Sequence, residues 1–330
     1  AGGGGRIALI SRKALVPGQY DISGGANADE SVTVAGDGTL YVEATEGGMA
    51  VLEAVTGSVV IDTSAGTLLY SGPTGSGLAF GTVEDKIISS GGLDYSYAVC
   101  TFTFDRINLA GSVIVQVKGT NSLTLATRNH GNITVGADLT LSGSSDSSAI
   151  AGGWKGGGSS GVGEGPGGGQ LATGAGGSYG GPGTGDASPV TYGDYDLNAT
   201  VGGSGGSNSG AGGGGSISFK AHGTGDVTFT STSNILANGG DGSTSSNGSG
   251  SGGSIRVEGE NISNAGQLHA KGGAGSGVAG GGGRIALHTT KEVVFGDVDA
   301  GNGSIAVIGD MGVKTLEYTT GKLVFDTSGA

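Results

Sequence analysis

Ala279-Gly-Gly-Gly-Gly-Arg-Ile-Ala-Leu287 repeats, residue for residue, the stretch Ala1-Gly-Gly-Gly-Gly-Arg-Ile-Ala-Leu9. Shorter versions of the motif, a glycine pair followed by Ser, Ile, any residue and an apolar one, stand at Gly214 to Phe219 and Gly252 to Val257. Each reads as a strand start: the glycines let backbones approach and turn, and the residues after them alternate with period two. A step of the form Ile/Leu/Val-x-Ala into a second glycine turn follows at Ile235 to Gly240, Leu268 to Gly273 and Val298 to Gly303. The spacings of the motif isoleucines, 255 − 217 = 38 and 285 − 255 = 30, are unequal. Unequal spacing suits stacked coils with loop excursions better than the fixed blade of a propeller.

A longer repeat encloses the short one. Thr56-Gly-Ser-Val-Val-Ile-Asp-Thr-Ser64 returns as Thr320-Gly-Lys-Leu-Val-Phe-Asp-Thr-Ser328, at an offset of 326 − 62 = 264, against 285 − 7 = 278 for the first pair. The earlier copy therefore carries 14 more residues, 278 − 264. Residues 279–330 thus begin the next repeat of the module that starts in 1–66, and the sequence reads as one module of a tandem array plus the start of another. It opens at Ala1 with no initiator Met and no charged leader region, as a fragment or processed segment does.

Alternation is clearest in Ser31–Val34, Thr39–Glu43, Ser112–Val117, Asn121–Leu125, Asn132–Val135 and Asp138–Leu141. Short strands at this rhythm predict an all-β chain, read as a parallel β-helix (β-solenoid) in which inward Ile, Val and Leu of successive coils stack. An antiparallel sandwich gives a similar local pattern. Coils are assigned to 1–150 and 216–330, with Ile7, Ile217, Ile255 and Ile285 as stacked core positions. Between them lies a glycine-rich segment, 151–215, almost without apolar periodicity. It is either a flexible linker or a set of packed polyglycine-type strands, and the aromatic residues Trp154, Tyr179, Tyr192 and Tyr195 are unusual for a linker.

The chain has 330 residues, of which 78 are Gly and 5 Pro, with 13% charged residues and a formal net charge of −13. So much glycine costs conformational entropy, which an ordered fold recovers through backbone hydrogen bonding. Collagen is excluded by the scarcity of proline and the lack of a Gly-X-Y period. Scattered Lys and Arg in an acidic chain argue against nucleic acid as partner, and the lack of a long apolar run argues against membrane insertion. The single cysteine, Cys100, sits in an apolar run and reads as a buried core residue, with an intermolecular crosslink as the alternative.

Tyr192-Gly-Asp194, Val201 to Gly206, Gly212 to Ile217, Ile235 to Gly240, Gly252 to Ile255 and Gly281 to Ala286, with Phe104 to Leu109, together resemble a glycine-rich module. It recurs in very long bacterial surface proteins, similar in style to filamentous-haemagglutinin-like adhesins. The resemblance covers 100–290 best and 10–90 least. It implies an extracellular, repetitive, β-helical protein with an adhesive or matrix role, and it carries over no catalytic residue.

Catalytic chemistry is weakly signalled. The acidic neighbours Asp29-Glu30 and Glu84-Asp85 read as solvated turns, and His130, His222, His269 and His288 show no metal-ligand spacing. Gly239 to Ser243 and Asp299 to Gly303 only gesture at a calcium roll, so no cofactor is expected beyond adventitious Ca²⁺. The leading expectation is a non-enzymatic extracellular structural module that self-associates into a filament or surface layer, with Gly214, Gly215, Gly252 and Gly253 as ligand or assembly contacts where backbones pack closely. The rival is a cell-surface adhesin binding a glycan or a host ligand through Trp154, Tyr179, Tyr192 and Tyr195. An exposed aromatic row favours the adhesin; burial of those rings favours the filament.

Overall fold

Wherever glycine gives way to alternating β-branched residues the backbone extends and pairs, and no helix occurs among the described residues. The computed structural model describes residues 51–73, 75–159, 161–170, 174–275 and 278–309, together with the backbone of strands at 6–11, 39–44, 312–315 and 322–326. The strands of the first part are β1 (Arg6–Ser11), β2 (Thr39–Ala44), β3 (Val51–Ala54), β4 (Gly57–Asp62), β5 (Thr67–Gly72), β6 (Gly75–Phe80), β7 (Thr82–Ser90), β8 (Leu93–Phe104), β9 (Arg106–Leu109), β10 (Val113–Lys118), β11 (Ser122–Thr127), β12 (Ile133–Val135) and β13 (Leu139–Thr140). After a long excursion come β14 (Ser216–Lys220), β15 (Val227–Phe229), β16 (Asn234–Leu236), β17 (Ser254–Asn264), β18 (Gln267–His269), β19 (Arg284–Val294), β20 (Asp297–Asp299), β21 (Ser304–Ile308), β22 (Gly312–Thr315) and β23 (Lys322–Asp326).

Parallel ladders organise most of these strands. In the first, β8, β11, β14, β17, β19 and β21 set Cys100, Leu123, Ile217, Ile255, Ile285 and Ile305 opposite one another. A second aligns Leu52, Ile107, Ile133, Val227, Ile262 and Val293 through β3, β9, β12, β15 and the later halves of β17 and β19. The third runs through β13, β16, β18 and β20 and aligns Leu139, Ile235, Leu268 and Val298. A register shift between Gly259 and Asn261 lets β17 pass from the first ladder to the second without a break.

All these aligned side chains are buried in one continuous core. Burying each aliphatic side chain contributes about 1.5–3 kcal/mol. Phe219 and Phe229, from the first and second ladders, meet edge to face at 5.1 Å in its interior. Cys100 lies here, fully buried, and burial pushes its thiol pKa up to about 11, as expected of a core residue.

The expected run of coils through 1–150 is interrupted by antiparallel pairing. β4, β5 and β6 form a meander, and β7 pairs with β8 as a hairpin. Turn chemistry explains both. Gly91 and Gly92, at φ +59° and +79°, are the two positive-φ residues a tight hairpin needs. Before β5, the Ala65 amide donates to the Asp62 carboxylate at 2.9 Å and Gly66 takes φ +64°. At the start of the chain, β1 pairs in parallel with β2, Ile7 opposite Leu40. The side chain of Ile7 and the strand expected at 31–34 lie outside the described residues.

Candidate functional site

After β13 the chain leaves the ladders and returns only at β14. Its glycines gather against two shorter glycine segments, 238–253 and 270–283. Gly212, Gly213, Gly214 and Gly215 donate in turn to the carbonyls of Ser144, Trp154, Ser251 and Leu141. Gly250, Ser251, Gly252 and Gly253 donate to Gly240, Ser204, Gly281 and Ala237. Residues i and i+3 thus return to one neighbour while the two between them reach others. That is the three-residue turn of a polyproline-II-like chain, hydrogen-bonded on several sides rather than along the two edges of a strand. The described residues of 151–215 are therefore packed, largely through backbone.

No side chain fits at the closest approaches. A Cβ on Gly214 would lie less than 3.0 Å from the Ala237 carbonyl and the Gly253 amide, one on Gly215 from the Ala151 carbonyl, one on Gly252 from the Ala270 carbonyl, and one on Gly253 from the Gly214 and Gly215 carbonyls. The sequence reading makes these four positions ligand or assembly contacts through close backbone approach; the backbone they approach in the structure is the chain's own.

The four aromatic residues do not form the exposed row that would mark an adhesin. Tyr179 and Tyr192 are buried, Trp154 is half-buried, and Tyr195 is 38% exposed. The bundle folds over the outward face of the first ladder, where Tyr179, Tyr192, Leu197 and Val201 pack with Ala286 and Ala306 in a second, smaller core. The Tyr179 and Tyr192 rings lie 4.7 Å apart, and the Arg284 guanidinium sits 5.5 Å from the centre of the Tyr179 ring. Arg284 also donates from Nε and Nη2 to the Tyr192 carbonyl at 3.1 and 3.0 Å. Burial holds both phenols well above their ordinary pKa, so they stay neutral.

A buried relay fixes Tyr192. The Gly167 amide donates to Ser204 Oγ at 3.0 Å, Ser204 donates to the Tyr192 hydroxyl at 3.0 Å, and that hydroxyl donates to the Gly202 carbonyl at 2.7 Å. Further along, His288 Nε2 meets the Asp196 carbonyl at 2.6 Å; a carbonyl only accepts, so Nε2 carries the proton. Burial first and Arg256 second hold the His288 pKa below its ordinary value.

Sequence reasoning missed Arg284, Ser204 and the pair Tyr95 and Tyr97. One signal was present: Arg284 replaces the serine that stands at Ser216, Ser254 and Ser304 in the same register. The aspartates of the two calcium-like stretches are engaged by backbone amides: Asp241 accepts from Ala274, in the next glycine segment, at 2.7 Å, and Asp299 accepts from Gly301 in its own loop at 2.8 Å. Comparison with protein-family models, with curated proteins and with solved structures gives no match.

Proposed function

We propose that the chain is an extracellular structural protein, a repeat module of a self-associating filament or surface layer, wound as a parallel β-helix with the polyglycine-type bundle inserted at 151–215. One observation carries the reading. β19, whose first residues repeat Arg6 to Leu9, is bonded on both edges, by β17 and by β21. Its copy β1 is bonded to β2 in the same sense, Ile7 opposite Leu40 as Ile285 is opposite Ile305. A strand equivalent to β17 on the other edge of β1 would continue the ladder into a preceding module, so the partner is the chain itself, in a covalent array or as separate copies. Burial of Tyr179 and Tyr192 supports this reading over the adhesin with an aromatic row. No catalytic role and no resident cofactor enter it; of the acidic neighbours in β7, Glu84 pairs with Lys86 at 2.6 Å on an exposed strand.

The winding gives a measurable length. Among the described residues the first ladder makes five steps, through Cys100, Leu123, Ile217, Ile255, Ile285 and Ile305, and each advances about 4.8 Å. Cryo-electron microscopy of the native material, or of several modules joined in tandem, should show rods with strand layers at that spacing and a longer axial period, one per module, that is a whole number of such steps. Isolated flexible particles, or rods without such a period, would overturn the proposal.

A further inference from the structure

Where the bundle leaves the ladders it encloses a cleft of about 320 Å³ against β8, lined by Tyr97, Thr120, Asn121, Trp154, Lys155 and Glu164 among others. We infer that this cleft is a binding site for a neutral saccharide. The inference is independent of tandem assembly, since the whole site lies within one module.

Two aromatic rings line the cleft, Tyr97 and Trp154, and a third, Tyr95, braces Trp154. Tyr95 and Tyr97 stand two apart on β8 and so project from the same face, and Trp154 packs edge-on against Tyr95 at 6.1 Å. All three belong to the rim of the second core, half-buried rather than sealed within it. Rings held this way keep an apolar surface ready for the C–H face of a pyranose and have little conformational freedom left to lose on binding.

Beside the rings stand two charges of opposite sign. The Glu164 amide donates to the Lys155 carbonyl at 2.9 Å, which ties the two segments together. Both side chains are exposed, and neither makes an ion pair or hydrogen bond with the described residues. An ammonium supplies donors only and a carboxylate acceptors only, a pairing that suits hydroxyl groups, which do both. Their charges cancel, so the cleft does not select for an anion or a cation. Its polar lining leaves a purely apolar ligand with groups it cannot satisfy. The volume falls at the lower end of the range for small-molecule sites, about 300–1,000 Å³, room for a mono- or disaccharide unit of a longer glycan.

Trp154 is the only tryptophan, so its emission reports on this cleft alone. Cellobiose, lactose, methyl α-mannopyranoside and methyl β-N-acetylglucosaminide are titrated into the full chain, with sodium glucuronate as an anionic control. At least one neutral sugar should give a saturable change in the millimolar range, stronger than glucuronate does. The double variant Glu164→Gln and Lys155→Met should weaken it by about tenfold or more, because hydrogen bonds to charged groups are the ones removed. Both substitutions are on exposed side chains, and an unchanged melting temperature confirms the fold. The inference is overturned if no neutral sugar gives a saturable change, if glucuronate binds best, or if the double variant binds as tightly as the parent.

Discussion

The ladders and the bundle solve one problem in opposite ways. Along the ladders the backbone forms the wall and the side chains of Leu123, Ile217, Ile255 and Ile285 form the core. Along the glycine runs of the bundle there are no side chains and the backbone itself is the core, each segment bonded to neighbours on several sides. The first arrangement is stabilised by apolar area and loses stability when a side chain shrinks. The second rests on hydrogen bonds that only close approach permits, and it loses stability when a side chain grows.

That contrast predicts its largest effect at Gly253. Gly253→Val would press side-chain carbons into the carbonyls of Gly214 and Gly215, groups fixed by their own hydrogen bonds. A loss above about 4 kcal/mol in urea unfolding is expected. Gly158→Ala is the control, a glycine of the same bundle whose Cβ would meet open space, and it should stay within about 0.5 kcal/mol of the parent. Equal effects at the two positions would end the idea of a close-packed backbone core. Next comes the ladder's counterpart, Ile255→Ala, which leaves a cavity between Ile217 and Ile285 and should cost about 2–5 kcal/mol.

These two positions were not equally legible. Ile255 follows a glycine pair and begins an alternating run, so its place in a strand and its burial could be read directly from the sequence. Gly253 was legible only as part of that motif, because glycine carries no periodicity of its own; whether 151–215 was packed or loose could not be decided by pattern. The burial of Tyr179 and Tyr192 was hidden for another reason. Their anchor, Arg284, lies 92 residues beyond Tyr192, and only the folding of the bundle over the first ladder brings them together. Gly91 and Gly92 offered a hairpin signal in plain view, but short antiparallel and parallel strands share period two, so alternation around them fitted coils equally well.

A smaller effect tests the seam where the two regions meet. Tyr192→Phe removes the hydroxyl that accepts from Ser204 and donates to the Gly202 carbonyl, leaving both without that partner in a buried place. A loss of about 1–3 kcal/mol is expected. If bundle and ladders unfold together, the whole transition should shift; if the bundle opens alone, amide exchange should speed up at Gly167 and Gly202 while the ladder amides keep their protection.

The smallest effect is a dependence on pH through the other tie across that seam. Free in the unfolded chain, an imidazole takes up its proton near pH 6.5. In the fold, burial and Arg256 hold the His288 pKa lower, although the Asp196 carbonyl and the charges of Glu258 and Asp196 pull the other way. Between the two values the unfolded state binds more protons, so the contribution of His288 is complete above the unfolded value and is lost as pH falls through the folded one. Comparing unfolding at about pH 7.5 and about pH 5.5 in the parent and in His288→Gln isolates it from the carboxylates, which both proteins share. The parent should lose more stability on acidification than the variant. Equal losses would mean that the seam is held by Arg284 and the Tyr192 relay, with no share from His288.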